Sequence, residues 1–232
     1  MKTIGILGGM SPESTVSYYK TLNALTKAQL GGYASAKILL HSVNFAETHA
    51  AQIAGDWDGV GEQLASAAAG LERAGAGIIV LATNTMHKCA AAIEAAISVP
   101  FLHIGEACAA QLVTDERTRP ILLGTAFTME ERFYTAKLEA NGLTPIIPDA
   151  QQRKDIHAII FDELVHGVTK ATSRQRYIDI VSNLAERGAD SVILGCTEIG
   201  MLLDTQNSPL PPYDTALIHC EAAIRFALKE DA

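Results

Sequence analysis

Short apolar runs alternate with longer amphipathic segments along nearly the whole chain. Continuous apolar stretches bounded by glycine or polar turns predict strands at 3–7, 36–42, 77–82, 101–104, 121–124, 144–147 and 191–195. Between them, apolar positions recur at helical spacing over 14–30, 59–74, 128–141, 155–167 and 173–187. Strands alternating with helices of this length predict βαβ units and a mostly parallel, doubly wound α/β architecture. In such sheets ligands gather at the carboxyl ends of the strands.

The pattern also repeats. "LERAGAGIIVLATNT", from Leu71 to Thr85, aligns without gaps on "LAERGADSVILGCTE", from Leu184 to Glu198. A weaker pair sets "IGILGGM" near the start against "PILLGTA" at Pro120 to Ala126. Two matches in the same order predict two similar α/β domains related by a pseudo-twofold axis. The expected division is 1–105 with a C-terminal helix at 213–232 as the first domain, and 106–212 as the second. Such halves would bring Thr83 and Cys196, equivalent in the repeat, to opposite walls of an interdomain cleft.

Composition narrows the class. The 232 residues are 48% hydrophobic and only 6% aromatic, which suits an Ala-, Leu- and Ile-rich layered protein. A net charge of -8 argues against a nucleic-acid or anionic-membrane surface. The four cysteines (Cys89, Cys108, Cys196 and Cys220) are scattered and form no CxxC pair, so neither a disulfide framework nor a metal site is expected. The first residues, "MKTIGILGGM", have too short and glycine-broken an apolar run for a signal peptide. No run reaches the ~18 apolar residues of a membrane span. The expectation is a cytoplasmic protein.

Three turns carry candidate chemistry. "GILGGMSPES" offers Gly5, Gly8 and Gly9 rather than G-x-G-x-x-G, which disfavours a dinucleotide site. It reads either as a plain strand-to-helix turn or as a nest of backbone N–H groups for a carboxylate, with Ser11 adding a hydroxyl. "GCTE" puts a thiol at a strand end that opens a helix, where peptide dipoles favour the thiolate and would lower its pKa. Glu198 stands close enough to tune Cys196 or to meet an ammonium group. The plainer reading is a buried structural cysteine. "TNTMHK" presents Thr83, Asn84 and Thr85 at another helix start, for capping, ligand binding or both. His87 reads as a surface or capping residue, and His41 and His103 as core histidines. The Pro-rich "SPLPPYDT" reads as a loop in which Asp214 or Thr215 caps a final helix. No lysine sits in a context that specifies pyridoxal phosphate.

With "IGILGGM", "TNT" and "GCTE" in this order on a duplicated α/β chain, the sequence resembles the aspartate/glutamate racemase family from Met1 to about Leu228. The resemblance implies racemisation of a small amino acid without a cofactor, two residues working in turn on opposite faces of the substrate. The family usually has a thiol in each half, in "CNT" and in "GCT". Here Cys196 supplies the second and Thr83 replaces the first, a pair resembling the enterobacterial branch specific for L-aspartate and L-glutamate. The resemblance assigns catalysis to Thr83 and Cys196. It assigns the substrate's carboxylate and ammonium groups to Met10, Ser11, Gln52, Asn84, Thr85, Thr125, Thr197 and Glu198. It further implies a homodimer.

A threonine hydroxyl has no route to an anion comparable to a thiol's. Catalysis should therefore be lopsided, and L-substrates should react better, since in related racemases the second thiol faces the L-enantiomer's α-proton. Aspartate-preferring relatives place an arginine near the position of His49 and a lysine at that of Val165. Their absence leaves aspartate or glutamate as first choice beside broader activity on neutral polar amino acids. Two other classes share these features: a single-thiol carbanion enzyme resembling arylmalonate decarboxylases, and a non-catalytic amino-acid-binding protein.

Overall fold

The computed structural model describes residues 1–229. The last part of the helix expected at 213–232, residues 230–232, lies outside the described residues. The chain forms two compact units, one of residues 1–104 with the chain from His219 onward, the other Gly105–Ile218.

The first unit contains β1 (Ile4–Gly8), α1 (Pro12–Leu30), β2 (Ile38–Ser42), α2 (Phe45–Ala54), α3 (Trp57–Arg73), β3 (Ile78–Leu81), a 3-10 turn Thr85–Cys89, α4 (Ala90–Ala96) and β4 (Phe101–Leu102). The strands are parallel in the order β2-β1-β3-β4. β1 and β3 are buried throughout, because helices cover both faces of a parallel sheet. Their core includes Leu7, Ile79 and Leu81 from the strands and Val60, Leu64 and Leu71 from one face of α3. The chain runs from β1 outward to β2, then returns past β1 to β3 and on to β4. The carboxyl ends of β1 and β3, paired at Leu7 and Leu81, therefore form the switch point of the sheet.

The second unit begins within α5 (Ile104–Thr114) and continues with β5 (Pro120–Gly124), α6 (Ala126–Glu130), α7 (Arg132–Ala140), α8 (Ala150–Asp162), a 3-10 turn Leu164–His166, α9 (Ala171–Glu186), β6 (Ser191–Gly195), a 3-10 turn Thr197–Met201 and β7 (Pro212–Asp214). The final helix, α10 (Thr215–Leu228), starts here and joins the first unit from His219. Parallel strands run β5-β6-β7, and Ile146 adds a single parallel bridge to Ile121. Excursion to one side of β5, return to β6 and continuation to β7 repeat the topology of the first unit. The second switch point lies between the ends of β5 and β6, paired at Gly124 and Gly195.

Several expected elements are corrected. The strand at 144–147 shrinks to one bridge, because Pro145 and Pro148 cannot donate to a ladder. The helix expected at 128–141 is two helices, broken where Glu131 turns extended. The helix expected from 155 starts at Ala150 behind a capping box, in which the Gln152 N–H donates to Asp149 Oδ1 and the Asp149 N–H to Gln152 Oε1. It ends at Asp162, where buried Glu163 accepts from the Ser173 hydroxyl (2.7 Å) and Lys170 Nζ (3.1 Å). The Pro-rich loop ends in β7, and Asp214 Oδ1 accepts from the Ala216 and Leu217 N–H groups, capping α10 as expected. His41, read as a core residue, is exposed on the edge strand β2.

Within the first unit, the His219 ring ties α10 to α1 and β4. A carbonyl only accepts, so Nε2–H donates to Leu102 O (2.8 Å), and Nδ1 then accepts from the Tyr18 hydroxyl (2.9 Å). Burial pushes the His219 pKa down from 6.5 to about 4. The unfolded chain therefore binds the proton first on acidification, so stability falls as pH drops from about 6.5 to about 4. The shift corresponds to a loss on the order of 3 kcal/mol. His87 and His157, also held below the ordinary histidine range, act in the same direction. Thermal midpoints measured between pH 7 and 4.5 should fall less steeply for His219→Gln than for the wild type; equal slopes would contradict the assignment.

Candidate active site

In the first unit the turn after β1 is built by tight packing. Gly9 has φ +97°, and a Cβ there would collide with the Val43 backbone. The Gly9 N–H donates to Thr15 Oγ1 (2.8 Å), and that hydroxyl donates to Ser11 O (2.8 Å). Ser11 caps α1 by accepting from the Ser14 N–H, with Pro12 in the first turn. The side chain of Met10 is buried in the core, so this residue offers a ligand its backbone.

One strand over, the Ala82 N–H donates to Leu7 O and the Thr83 N–H to Leu81 O, each at 2.9 Å. Thr83 is left half-buried at the tip, while Asn84 and Thr85 are buried beside it. Asn84 opens the following 3-10 turn without a side-chain cap bond, so the capping reading does not account for it. The sheet register thus brings Met10, Ser11 and the segment Thr83, Asn84, Thr85 to one switch point. Gln52 stands apart on the buried face of α2, one turn beyond buried Thr48.

In the second unit the two glycines at the strand ends permit a close approach. A Cβ on Gly195 would lie 2.5 Å from Leu123 O, and one on Gly124 would lie 3.0 Å from Gly195 O. Thr125 and Cys196 follow directly, so they emerge from neighbouring strand ends. Thr125 is buried and caps α6 (Thr128 N–H to Oγ1, 3.4 Å). The Cys196 thiol donates to Glu198 Oε2 (3.0 Å), and the Thr197 hydroxyl donates to the same oxygen (2.7 Å).

That geometry reverses the expected direction of the thiol pKa. Burial, the charge of Glu198 and its hydrogen bond with the neutral thiol push Cys196 well above the ordinary range; nearby backbone N–H groups of residues 197 and 198 oppose them only partly. The helix invoked for a lowered pKa is a five-residue 3-10 turn, too short to supply a helical macrodipole. The resting group is a protonated thiol poised against a carboxylate. Cys89 and Cys108 are buried packing thiols, raised by burial to about 11 and about 12, and Cys220 is buried as well.

Two further groups support these turns and had no clear local signal in the sequence. His87 is buried, contrary to its surface reading, and contacts the Thr83 carbonyl through Nδ1 (2.8 Å). His157 Nδ1 accepts from the Ala126 N–H beside Thr125 (3.2 Å), a contact across 31 residues. His103 is buried as expected. His49 is half-buried with its ring against Phe45, and Val165 packs on the apolar cluster that also holds Cys196.

A family model described as Asp/Glu/Hydantoin racemase matches residues 7–223. The chain belongs to this family. Among solved structures, a Yersinia pestis protein provisionally called an Asp/Glu racemase is 45% identical, with TM-score 0.94 over 99% of this chain and 100% of that one. An aspartate racemase homologue from Pyrococcus horikoshii is 33% identical, with TM-score 0.87 over 99% and 100%. The broad specificity amino-acid racemase RacX of Bacillus subtilis is 27% identical over 219 residues, 92% of each chain. The present racemase-family chain is thus matched along nearly its whole length, and its two switch points fall inside the matched region. Among the described residues, no helix is long and apolar enough to cross a membrane.

Proposed function

We propose that this racemase works without a cofactor, Cys196 taking the α-proton of an L-amino acid and Thr83 serving the opposite face of the substrate. The observation that carries the reading is the Cys196 thiol donating to Glu198 Oε2 at 3.0 Å, at the strand-end position that Thr83 holds in the other unit. An enzyme base must first lose its own proton, and the Cys196 thiol, held by its hydrogen bond to Glu198, gives that proton up to solvent. The substrate's α-ammonium brings a positive charge that offsets the repulsion between thiolate and carboxylate. The thiolate then takes the α-proton, and the electron pair stays on the substrate as an enediolate. Ser11, Asn84, Thr85, Thr125 and Thr197, with Met10 through its backbone and Gln52, are assigned to the carboxylate and ammonium groups. Fixed donors of this kind stabilise charge that develops on the carboxylate oxygens.

The substrate class is aspartate or glutamate first, with neutral polar amino acids beside them. Val165 is an apolar packing residue, and His49 lies with its ring against Phe45, so neither position holds a lysine or arginine for a side-chain carboxylate. A broad specificity relative supports the wider class. Incubation of an L-amino-acid panel without added cofactor, followed by chiral chromatography, tests the reading. D-product from aspartate, glutamate or a neutral polar amino acid is expected; no D-product from any of them would refute it.

The free thiols fit a reducing compartment such as the cytoplasm. A homodimer fits the exposed apolar side chains Val16 and Tyr19 on α1 and Leu40 on the edge strand β2, which a second copy would cover. Sedimentation should give twice the chain mass, falling to one with Tyr19→Lys; a monomeric wild type would reject the dimer.

A further inference from the structure

We propose that His87 is the positioning residue of the inversion step: locked as one neutral tautomer between two backbone groups, it fixes where Thr83 presents its hydroxyl. This rests on the racemase reading above and extends it to a residue that does not touch the substrate. The tautomer follows from the partners. The Ile104 N–H donates to His87 Nε2 (3.1 Å), so that nitrogen carries no hydrogen. The hydrogen is on Nδ1, which donates to the Thr83 carbonyl (2.8 Å). One ring thus links the β3 tip to the start of α5 and uses both nitrogens in doing so.

The surroundings hold the ring in place. It packs at 5.5 Å from Phe101, 4.6 Å from His103 and 5.9 Å from His219, centroid to centroid. His219 is itself held by Tyr18 and Leu102. The titratable groups facing His87 are therefore His103 and His219, with the Tyr18 hydroxyl behind the latter. Burial and these two rings hold His87 well below the ordinary histidine range. A proton added at Nε2 would face the Ile104 N–H and break the link.

On the strand side the Thr83 tip is held by its N–H to Leu81 O and by the Ala82 N–H to Leu7 O, and beyond the tip the His87 ring grips its carbonyl. The tip connects a four-residue strand to a five-residue 3-10 turn, and 3-10 turns hold their shape less firmly than α-helix. A displacement near 1 Å in a reacting group costs about 10²-fold in rate. Because His87 clamps Thr83 and not Cys196, its loss should impair delivery of a solvent proton relayed through the Thr83 hydroxyl, which takes up one proton as it gives one to the α-carbon, while sparing abstraction by the thiol. A structural role alone would lower both together.

The experiment follows an L-substrate in D2O, scoring deuterium entering recovered L-isomer (exchange) against D-isomer formed (inversion). For His87→Phe, inversion should fall about 10²-fold and exchange less than about threefold. His87→Asn, whose amide can donate to the Thr83 carbonyl, should recover part of the inversion. A parallel fall, or an unchanged ratio of inversion to exchange, overturns the proposal while leaving the racemase reading intact. A wild type that neither exchanges nor inverts overturns both. Should His87→Phe fail to fold, His87→Leu, which likewise has no donor, gives the same comparison. Nitrogen-15 NMR of the wild type reads the tautomer directly: an Nδ1–H ring is expected, and an Nε2–H ring would overturn the clamp.

Discussion

Replacing Cys196 with serine is expected to abolish α-proton exchange, by about 10³-fold or more, while amino-acid binding persists. The substitution keeps the shape of the site, since a serine hydroxyl can still donate to Glu198 Oε2 and occupies slightly less space. It removes the titratable group. The thiol is pushed up by burial and Glu198, yet an alcohol lies several further units from ionisation. The loss should fall on kcat more than on KM, because the interaction removed belongs to the transition state. In the wild type the resting thiol is protonated, so free-enzyme activity should climb with pH as the thiolate fraction grows. Cys196→Ser should show no such limb. Loss of the substrate's α-proton NMR signal measures exchange, and calorimetry measures binding. A serine variant that exchanged at wild-type rate would remove the thiol from the mechanism.

Thr83→Cys should raise the rate on D-substrates by about 10²-fold and bring the two enantiomers toward parity. The backbone at 83 is held by Leu81, by the adjoining Ala82 contact with Leu7 and by His87, so a new thiol would stand where the hydroxyl stands. Threonine cannot become an anion at accessible pH, whereas a half-buried thiol can. The L-direction should change less, since the abstraction proposed for Cys196 is left untouched. Initial rates on both enantiomers, separated by chiral chromatography, decide it. An unchanged D-rate would mean that Thr83 is not on the reaction path.

Much of this arrangement was legible because a parallel strand buried on both faces writes itself as a continuous apolar run. The runs ending at Ala82 and Gly195, followed by Thr83 and by Cys196 with Thr197, pointed to both tips and their equivalence. What the sequence concealed depends on distance or on the rotamer of one side chain. Strand order decides that His41 lies on an exposed edge, and no local pattern encodes strand order. The pKa direction of Cys196 depends on where Glu198 points its oxygen, two residues along an irregular turn. His87 looked like a surface residue because its partner Ile104 is 17 residues away and His219 belongs to the last helix. The start of α8 was different: Asp149 and Gln152 have the capping-box spacing, but the amphipathic pattern drew attention six residues downstream.

The proposed proton relay is one-sided, with a working base at Cys196 and a weaker partner at Thr83. Proton NMR in D2O, following the α-proton of L- and D-aspartate and glutamate in parallel without cofactor, tests it most directly. Fast loss of the signal from an L-isomer is expected, with D-isomer appearing with deuterium at the α-carbon and much slower loss from the D-isomer. Equal loss from both enantiomers, or none from either, would contradict it.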